Sequence, residues 1–426
     1  MGVISMDIER QILHIDLNHC YAQIEEMKVP AFREMAMAVG GNEENRHGII
    51  LAKNDVAKQY DIKTGESLRE AYQKCPGLLI IHPDYKEYIY FTNRVKKIYQ
   101  DYTDKVESFG LDEAWLDVSQ SQKLFGNGYQ IAKQIQQRVY NELGLTVSIG
   151  VSWNKIYSKL GSDLDKKMGL VHIRKDNYKD IVYPQVVQDL LYVGHATQKK
   201  LNHLGITTIG DLANYDKLEL TKKFGKIGAI IWDFANGIDH SLVTTFHHTS
   251  AIKSIGNSIT TKHDMTNYQE AEAVFYVLSE SIASRLRDHQ LKGRTISIRL
   301  RDCNLKHYGS RQISIDEAIN TSSDIMLQVR ILLALHYDFT IPLRSIGISV
   351  SNLEDQYLER SKQLSIFEST TDIQSMKQLK LEQAIDTIRN KYGYNTIKRA
   401  NVLLHHELTH FNPKEEHTIH PESYFK

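Results

Sequence analysis

Little in this chain invites a disulfide, a membrane or a simple electrostatic partner. Only three cysteines occur in 426 residues, and Cys20, Cys75 and Cys303 are too far apart for a disulfide framework or a zinc site. That usage points to a reducing compartment. No apolar run approaches the ~20 residues needed to span a bilayer, and the N-terminus lacks the charged, apolar and small-residue zones of a secretory signal. A cytoplasmic protein without membrane contact is therefore expected. Net charge is also missing, because 52 basic side chains face 52 acidic ones. The total argues neither for nor against nucleic acid, so only the distribution of charge can. No short internal repeat and no long low-complexity segment is present.

What is there resembles an ordinary globular protein of two to four domains, with 41% hydrophobic and 24% charged residues. ILHIDLN (12–18) reads as a strand running into the helix-like NHCYAQIEEMK (18–28), with Pro30 at the exit. Residues 48–75 read as a strand, a helix with Val56, Ala57 and Tyr60 on one side, a turn at Gly65 and another helix. An amphipathic helix (84–102) feeds SFGLDEAWLDVS (108–119), which reads as one buried strand. A helix (130–143) and a strand turning into a helix (145–165) complete a strand–helix–strand–strand–helix–strand order, the signature of a split βαβ antiparallel sheet. From about 185, glycines break the chain into short helices. A hinge near 235–248 leads into a second α+β domain, with strands at 253–261, 293–302 and 344–353 and helices around 268–288 and 319–335. A last helix (373–391) and a polar tail with irregularly spaced His405, His406, His410, His417 and His420 have no assignable core.

Chemistry concentrates in the acidic strand. Asp112 and Glu113 stand side by side among Leu111, Trp115, Leu116 and Val118. Adjacent buried carboxylates lose water and raise each other's pKa unless a cation lies between them. Asp16, at the end of its own apolar strand, supplies a third acid, and the Leu17 carbonyl a neutral ligand. Hard oxygen donors in such a set favour Mg²⁺, with Mn²⁺ as an alternative, shared with substrate phosphates. Two such ions ~4 Å apart serve in-line phosphoryl displacement. Asn18 reads as an N-cap that leaves backbone N–H groups free for phosphate.

HIDLNHCYAQIEE, SFGLDEAWLDVS and VSIGVSWNKIYSKLGSDLDKKMGL, in that order and spacing, resemble the Y-family DNA polymerases of the DinB/UmuC type. VGHATQKKLNHLGITTIGDLA and ANGID extend the resemblance over roughly residues 10–350. It implies a right-hand α+β fold: a split βαβ palm (1–28 and 85–174), small fingers (29–84), a helix-hairpin-helix thumb (175–240), a linker (241–246), a separate α+β little finger (247–353) and a tail (354–426). It implies two Mg²⁺ on Asp16, Asp112, Glu113 and the Leu17 carbonyl, Tyr21 as the aromatic gate under the incoming sugar, and Lys58 and Lys166 on the triphosphate, with Asn18 beside them. Three positions depart from the family pattern. Asp55 replaces a tyrosine three residues before Lys58 and would repel a triphosphate unless it turns away or pairs with Lys53 or Lys58. Gly110 replaces a serine before the acidic pair, and Lys167 a proline after Lys166.

DNA contacts are expected from the thumb and the little finger. Gly194 and Gly205 allow tight turns whose N–H groups can face phosphates, with Lys199 and Lys200 nearby. Residues 285–311 carry eight basic against two acidic side chains. Within GRTISIRLRD, Ile296, Ile298 and Leu300 alternate with Thr295, Ser297, Arg299 and Arg301, so one strand face is core and the other basic and hydroxylated. Arg294, Arg299 and Arg301 are the candidate phosphate contacts, and Ser345, Gly347, Ser349 and Ser351 repeat the alternation. QLSIF (363–367) resembles the peptide that docks bacterial polymerases on the β sliding clamp, through Gln363, Leu364, Ile366 and Phe367. The expected partners are primer-template DNA, dNTP and the β clamp, and the expected state is a monomer. The rival readings are a non-catalytic DNA-binding or clamp-associated accessory and a nucleotidyl cyclase on a similar palm. The three acids speak against the first, and the DNA-binding segments against the second.

Overall fold

The computed structural model describes residues 9–41, 48–248, 251–357 and 371–414. Residues 9–41 and 49–248 form one compact unit, and 251–357 with 371–414 a second. In chain order the first unit has strands β1 (Ile12–Leu17), β2 (Met37–Gly40), β3 (Ile50–Lys53), β4 (Leu79–Ile81), β5 (Val106–Phe109), β6 (Glu113–Asp117), β7 (Val147–Ser152) and β8 (Leu170–His172).

Its main sheet runs β5-β6-β1-β7-β8. Strand β1 lies antiparallel between β6 and β7, and all six of its residues are buried. Alternation along β1 separates two layers. Leu13, Ile15 and Leu17 share a core with Val95 and Ile98 of the helix Tyr85–Gln100 and with Ile131 and Ile135 of the helix Gly128–Leu143. His14 faces the helix Lys155–Leu164, where its Nδ1 lies 2.7 Å from Ser162 Oγ. Gly150 of β7 is what lets that helix so close. A Cβ there would stand 1.9 Å from the Ser158 carbonyl oxygen and 2.6 Å from the Ser162 nitrogen.

Strands β3-β2-β4 form a small separate sheet over a core of Ala36, Ala38, Ile50, Ala57, Ile62, Leu68 and Ala71. Asn54 caps the short helix Asp55–Lys58 through Ala57 N at 2.9 Å, and its amide donates to the Phe32 and Met35 carbonyls. That helix ends before Tyr60, which is exposed rather than on a packed side. After β8 come the helices His195–Asn202, Ile209–Asn214, Lys217–Phe224 and Lys226–Ala235.

The second unit holds β9 (Ser254–Met265), β10 (Leu291–Asp302), β11 (His307–Ile319) and β12 (Leu343–Asp355), ordered β11-β10-β12-β9 and antiparallel throughout. Helices Tyr268–Asp288 and Ser322–His336 cover one face of it. Strand β11 went unrecognised in the sequence because it is a mostly exposed edge strand, with Ile313 and Ile315 only half-buried. The segment left without a core also folds. In the helix Thr371–Tyr392, Glu382 and Asp386 each lie 2.7 Å from Arg287, while Arg389 and Arg399 reach Glu280 at 2.9 Å. Leu408 joins the core of this unit. Residues 377–414 are therefore part of the domain rather than a tail, and His406 stacks on His410 there.

Gly150→Ala should destabilise the first unit by about 3 kcal/mol or more, because the clash is with backbone that cannot turn aside. Urea unfolding followed by tryptophan fluorescence reads this directly.

Candidate active site of the first unit

SFGLDEAWLDVS is not one strand. Phe109 pairs with Glu113, so Gly110, Leu111 and Asp112 form the loop of a β-hairpin between β5 and β6. Gly110 has φ +84°, a backbone conformation that residues with a Cβ rarely adopt. This accounts for the glycine at this position. The hairpin is tied to β1 by backbone: Leu17 N donates to the Asp112 carbonyl at 3.1 Å, and Asp16 stands directly opposite Glu113 in the antiparallel register.

Each acid has a different environment. Glu113 Oε2 receives Lys159 Nζ at 2.7 Å, and His14 Nε2 is 3.3 Å away. Burial pushes the Glu113 carboxyl up, but its His14 and Lys159 contacts outweigh this and bring it down to about 2. Asp16 is bridged by Lys166, whose ammonium also lies 2.6 Å from Asp163. Burial still holds Asp16 above the ordinary value, and Glu113 adds to the effect. Asp112 has neither lysine, and burial followed by the charges of Asp16 and Glu113 raises it to about 6. Burial lowers His14. Lys159 and His14 went unremarked in the sequence, since nothing local marks a lysine on a helix 46 residues after Glu113 as its partner.

A cleft of about 430 Å³ opens beside these acids. It brings together Asp16, Leu17, Tyr21, Asp112 and Lys166 with Lys53, Lys58 and Thr64 from the small-sheet region. Tyr21 is stacked on Tyr88, with centroids 4.5 Å apart and planes 11° apart, and meets the edge of Tyr85. Asp55 pairs with Lys58 at 2.6 Å, one of the two resolutions its sequence allowed. Asn18 is reassigned. The helix Cys20–Lys28 starts after His19, which has no side-chain cap bond. The Asn18 side chain is fixed inward by Ser148 Oγ at 2.8 Å and Thr146 Oγ1 at 3.2 Å, so it is no N-cap, although Asn18 does line the cleft.

This geometry agrees with what the chain is similar to. Residues 15–163 match the impB/mucB/samB family, 252–366 that family's C-terminal domain, and 188–239 the thumb domain of DNA polymerase-iota. DNA polymerase IV of Acetivibrio thermocellus is 42% identical over 396 residues, 93% of this chain and 98% of that protein. DNA polymerase IV of Clostridium kluyveri is 34% identical over 400 residues, 93% and 99% of the two chains, and DNA polymerase IV 2 of Bacillus subtilis 32% over 398 residues, 92% and 94%. The chain belongs to the Y family of DNA polymerases. A solved Y-family DNA polymerase chimera shares the fold, with a TM-score of 0.70 at 23% identity, covering 81% of this chain and 99% of the chimera.

As a Y-family member the protein is a DNA-directed DNA polymerase, and its parts outside the palm can be described as such. In the thumb, Gly194 is the N-cap of the helix His195–Asn202, and Gly205 has φ +78° in the hairpin that leads to the helix Ile209–Asn214. Lys199 and Lys200 are exposed. In the little finger, Arg299 sits between Gly347 and Ser310, and Ser297 between Ser349 and Gln312, so the face opposite the helices is small, hydroxylated and basic. Ser297 and Ser349 share a 2.7 Å hydrogen bond across it. Arg299 is exposed there, whereas Arg294 is held by Glu354 at 3.0 Å and Arg287 by Glu382 and Asp386. The positive run in the sequence is therefore partly neutralised from within. Gln363, Leu364, Ile366 and Phe367 lie outside the described residues. Among the described residues no helix is long and apolar enough to cross a membrane.

As the side chains stand, no three His, Cys, Asp or Glu residues among those described converge closely enough to hold a metal ion. Lys166 holds Asp16 and Lys159 holds Glu113 instead. The donor set still fits a hard divalent cation in chemistry: oxygen only, on three neighbouring backbone positions, with two carboxyls raised by burial and by the acids beside them.

The sign of a pH test follows from Asp112. Its folded pKa is raised above its unfolded value, so the stability it contributes is full below about pH 4 and lost as pH rises through about 6. In EDTA at pH 7, Asp112→Asn should stabilise the first unit by about 2 kcal/mol, and the gain should vanish by pH 4. Thermal melts of both proteins across that range measure it.

Proposed function

We propose that this polymerase extends a primer at Asp16, Asp112 and Glu113 with two divalent ions, Mg²⁺ or Mn²⁺, and that it works on damaged templates with low accuracy. The observation that carries the reading is the register itself. Asp16 faces Glu113 across one strand pair, Asp112 is tied to Leu17 by backbone, and Asp16, Leu17 and Asp112 line the cleft with Tyr21, Lys58 and Lys166. Bound metal would supply the activated primer 3′-hydroxyl and the charge that stabilises the departing pyrophosphate. Asp16, Asp112, Glu113 and the Leu17 carbonyl would hold it, and the lysines would meet the triphosphate. The Tyr21 ring, packed between Tyr88 and Tyr85, is a rigid wall rather than a swinging side chain. Burial raises its phenol, so it stays neutral. A 2′-hydroxyl on the incoming sugar would meet that wall, so dNTPs are preferred over ribonucleotides.

The small fingers, with their three-stranded sheet of short strands, would press only lightly on a nascent pair, the basis for tolerance of distorted templates. Lys199, Lys200, Gly194 and Gly205 of the thumb and Arg299 and Arg301 of the little finger would hold the duplex by its phosphates, without reading sequence and with strong salt dependence. Gln363, Leu364, Ile366 and Phe367 would dock the enzyme on the β sliding clamp.

Asp112→Ala should lower primer extension by roughly 10³-fold or more in Mg²⁺; a variant that extends like wild type ends the reading. Tyr21→Ala should raise ribonucleotide incorporation roughly tenfold or more, about 1.4 kcal/mol of lost discrimination. Single-nucleotide insertion with matched dNTP and rNTP tests it. Deleting residues 363–367 should abolish clamp binding while distributive synthesis persists, as read by gel shift and primer extension in parallel.

A further inference from the structure

Three lysines line the cleft beside Asp16 and Asp112: Lys53, Lys58 and Lys166. Two of them are already engaged. Lys58 Nζ lies 2.6 Å from Asp55, and Lys166 bridges Asp16 and Asp163. Lys53 is different. It is the last residue of β3, half-buried, and pairs with no carboxylate among the described residues. Its hydrogen-bond partner is a hydroxyl, Thr64 Oγ1, at 3.3 Å. The acids that influence it through space are claimed by other lysines, Glu66 by Lys74 at 2.6 Å and Asp61 by Lys63 at 3.7 Å. Burial and then the Lys58 charge lower its pKa, as for a cation short of countercharge.

An ammonium held half out of water beside a neutral donor, in the lining of a cleft that also carries acids, is arranged for an anion that arrives with its own charge. We propose that Lys53, with Thr64 beside it, is the principal small-sheet contact for the polyphosphate of the incoming nucleotide, and that the Asp55–Lys58 pair leaves Lys58 the weaker of the two contacts. The inference rests on the reading that this cleft takes a nucleoside triphosphate. A lysine is a compact point charge that suits phosphate oxygens without demanding planar geometry. Asp55 is then no defect in the site. It occupies one lysine and leaves the larger share of recognition to another, one strand end away.

The test compares Lys53→Ala, Lys53→Arg, Asp55→Ala and the Lys53→Ala/Asp55→Ala double variant. Binding of dNTP to the enzyme on a dideoxy-terminated primer-template is measured by titration calorimetry, and kcat and KM by single-nucleotide insertion. Lys53→Ala should weaken dNTP binding about tenfold and raise KM in step, with kcat changed much less. Lys53→Arg should restore most of the affinity, and adding Asp55→Ala to Lys53→Ala should recover part of it by releasing Lys58. Unchanged dNTP binding by Lys53→Ala overturns the proposal, as does a Lys53→Arg variant no better than alanine with circular dichroism and DNA affinity intact. The two readings fail separately. Extension by Asp112→Ala would remove the polymerase site, whereas a dead Asp112→Ala beside a wild-type-like Lys53→Ala would remove only the lysine's role.

Discussion

The first unit is organised around an arrangement that elementary electrostatics disfavours: Asp16 and Glu113 directly opposite each other on antiparallel strands, both largely buried. Like charges in that position are destabilising. Three features keep it folded. Lys159 and Lys166, on and just after one helix, neutralise one acid each. The apolar layer beneath β1 fixes its register, because a slip of one residue would send Leu13, Ile15 and Leu17 to the polar side. Gly150 lets the helix bearing Lys159 settle onto the sheet with no side chain between them. Sheet, helix and glycine are thus parts of one solution to a charge problem.

Much of that solution could be read from the sequence, and its limits have physical causes. The acids stood out because polar groups flanked by core residues are conspicuous, and the three occupy neighbouring backbone positions as expected. Lys159 was invisible because a long side chain on an amphipathic helix reads as solvated until the packing is known, and His14 because a histidine inside a strand shows no partner until the neighbouring strand and helix are placed. Asn18 was misjudged for the opposite reason. A capping residue ahead of a helix is a strong local pattern, yet Ser148 of β7 and Thr146 just before that strand take its amide, and tertiary bonds override the local preference. The reading of 108–119 as one strand failed at Gly110, whose positive φ turns the chain and makes a loop residue of Asp112.

In the second unit the alternation of β10 was legible, and Ile296, Ile298 and Leu300 are indeed core. Counting charges was less faithful. Arg287 lies on a helix facing Glu382 and Asp386 about 95 residues later, and Arg294 meets Glu354 across the sheet. The Arg287 pairs fasten the helix Thr371–Tyr392 to the domain and the Arg294 pair ties β10 to β12, so both arginines are engaged within the fold. Strand β11 escaped notice because an edge strand carries only half of the apolar signal.

The three acids, alike in sequence, end with different characters, and position alone produces the difference. Glu113 is ionised well below neutrality because Lys159 and His14 contact it. Asp112, one residue earlier, sits in the hairpin loop without such contacts, and Lys159 acts on it only through space. The nearby buried cation, Lys96, directs its ammonium to the Gly110 carbonyl at 3.3 Å, so it braces the turn and acts on Asp112 only through space. A loop fixed by glycine and a lysine thus holds a carboxyl that no side chain among the described residues neutralises directly. With its pKa at about 6 it is mostly ionised at neutral pH, at a cost in stability that a cation from outside the chain would offset. Were divalent metal bound there, Asp112, rather than its better-paired neighbours, would be the residue through which it most directly changed the energy of the site.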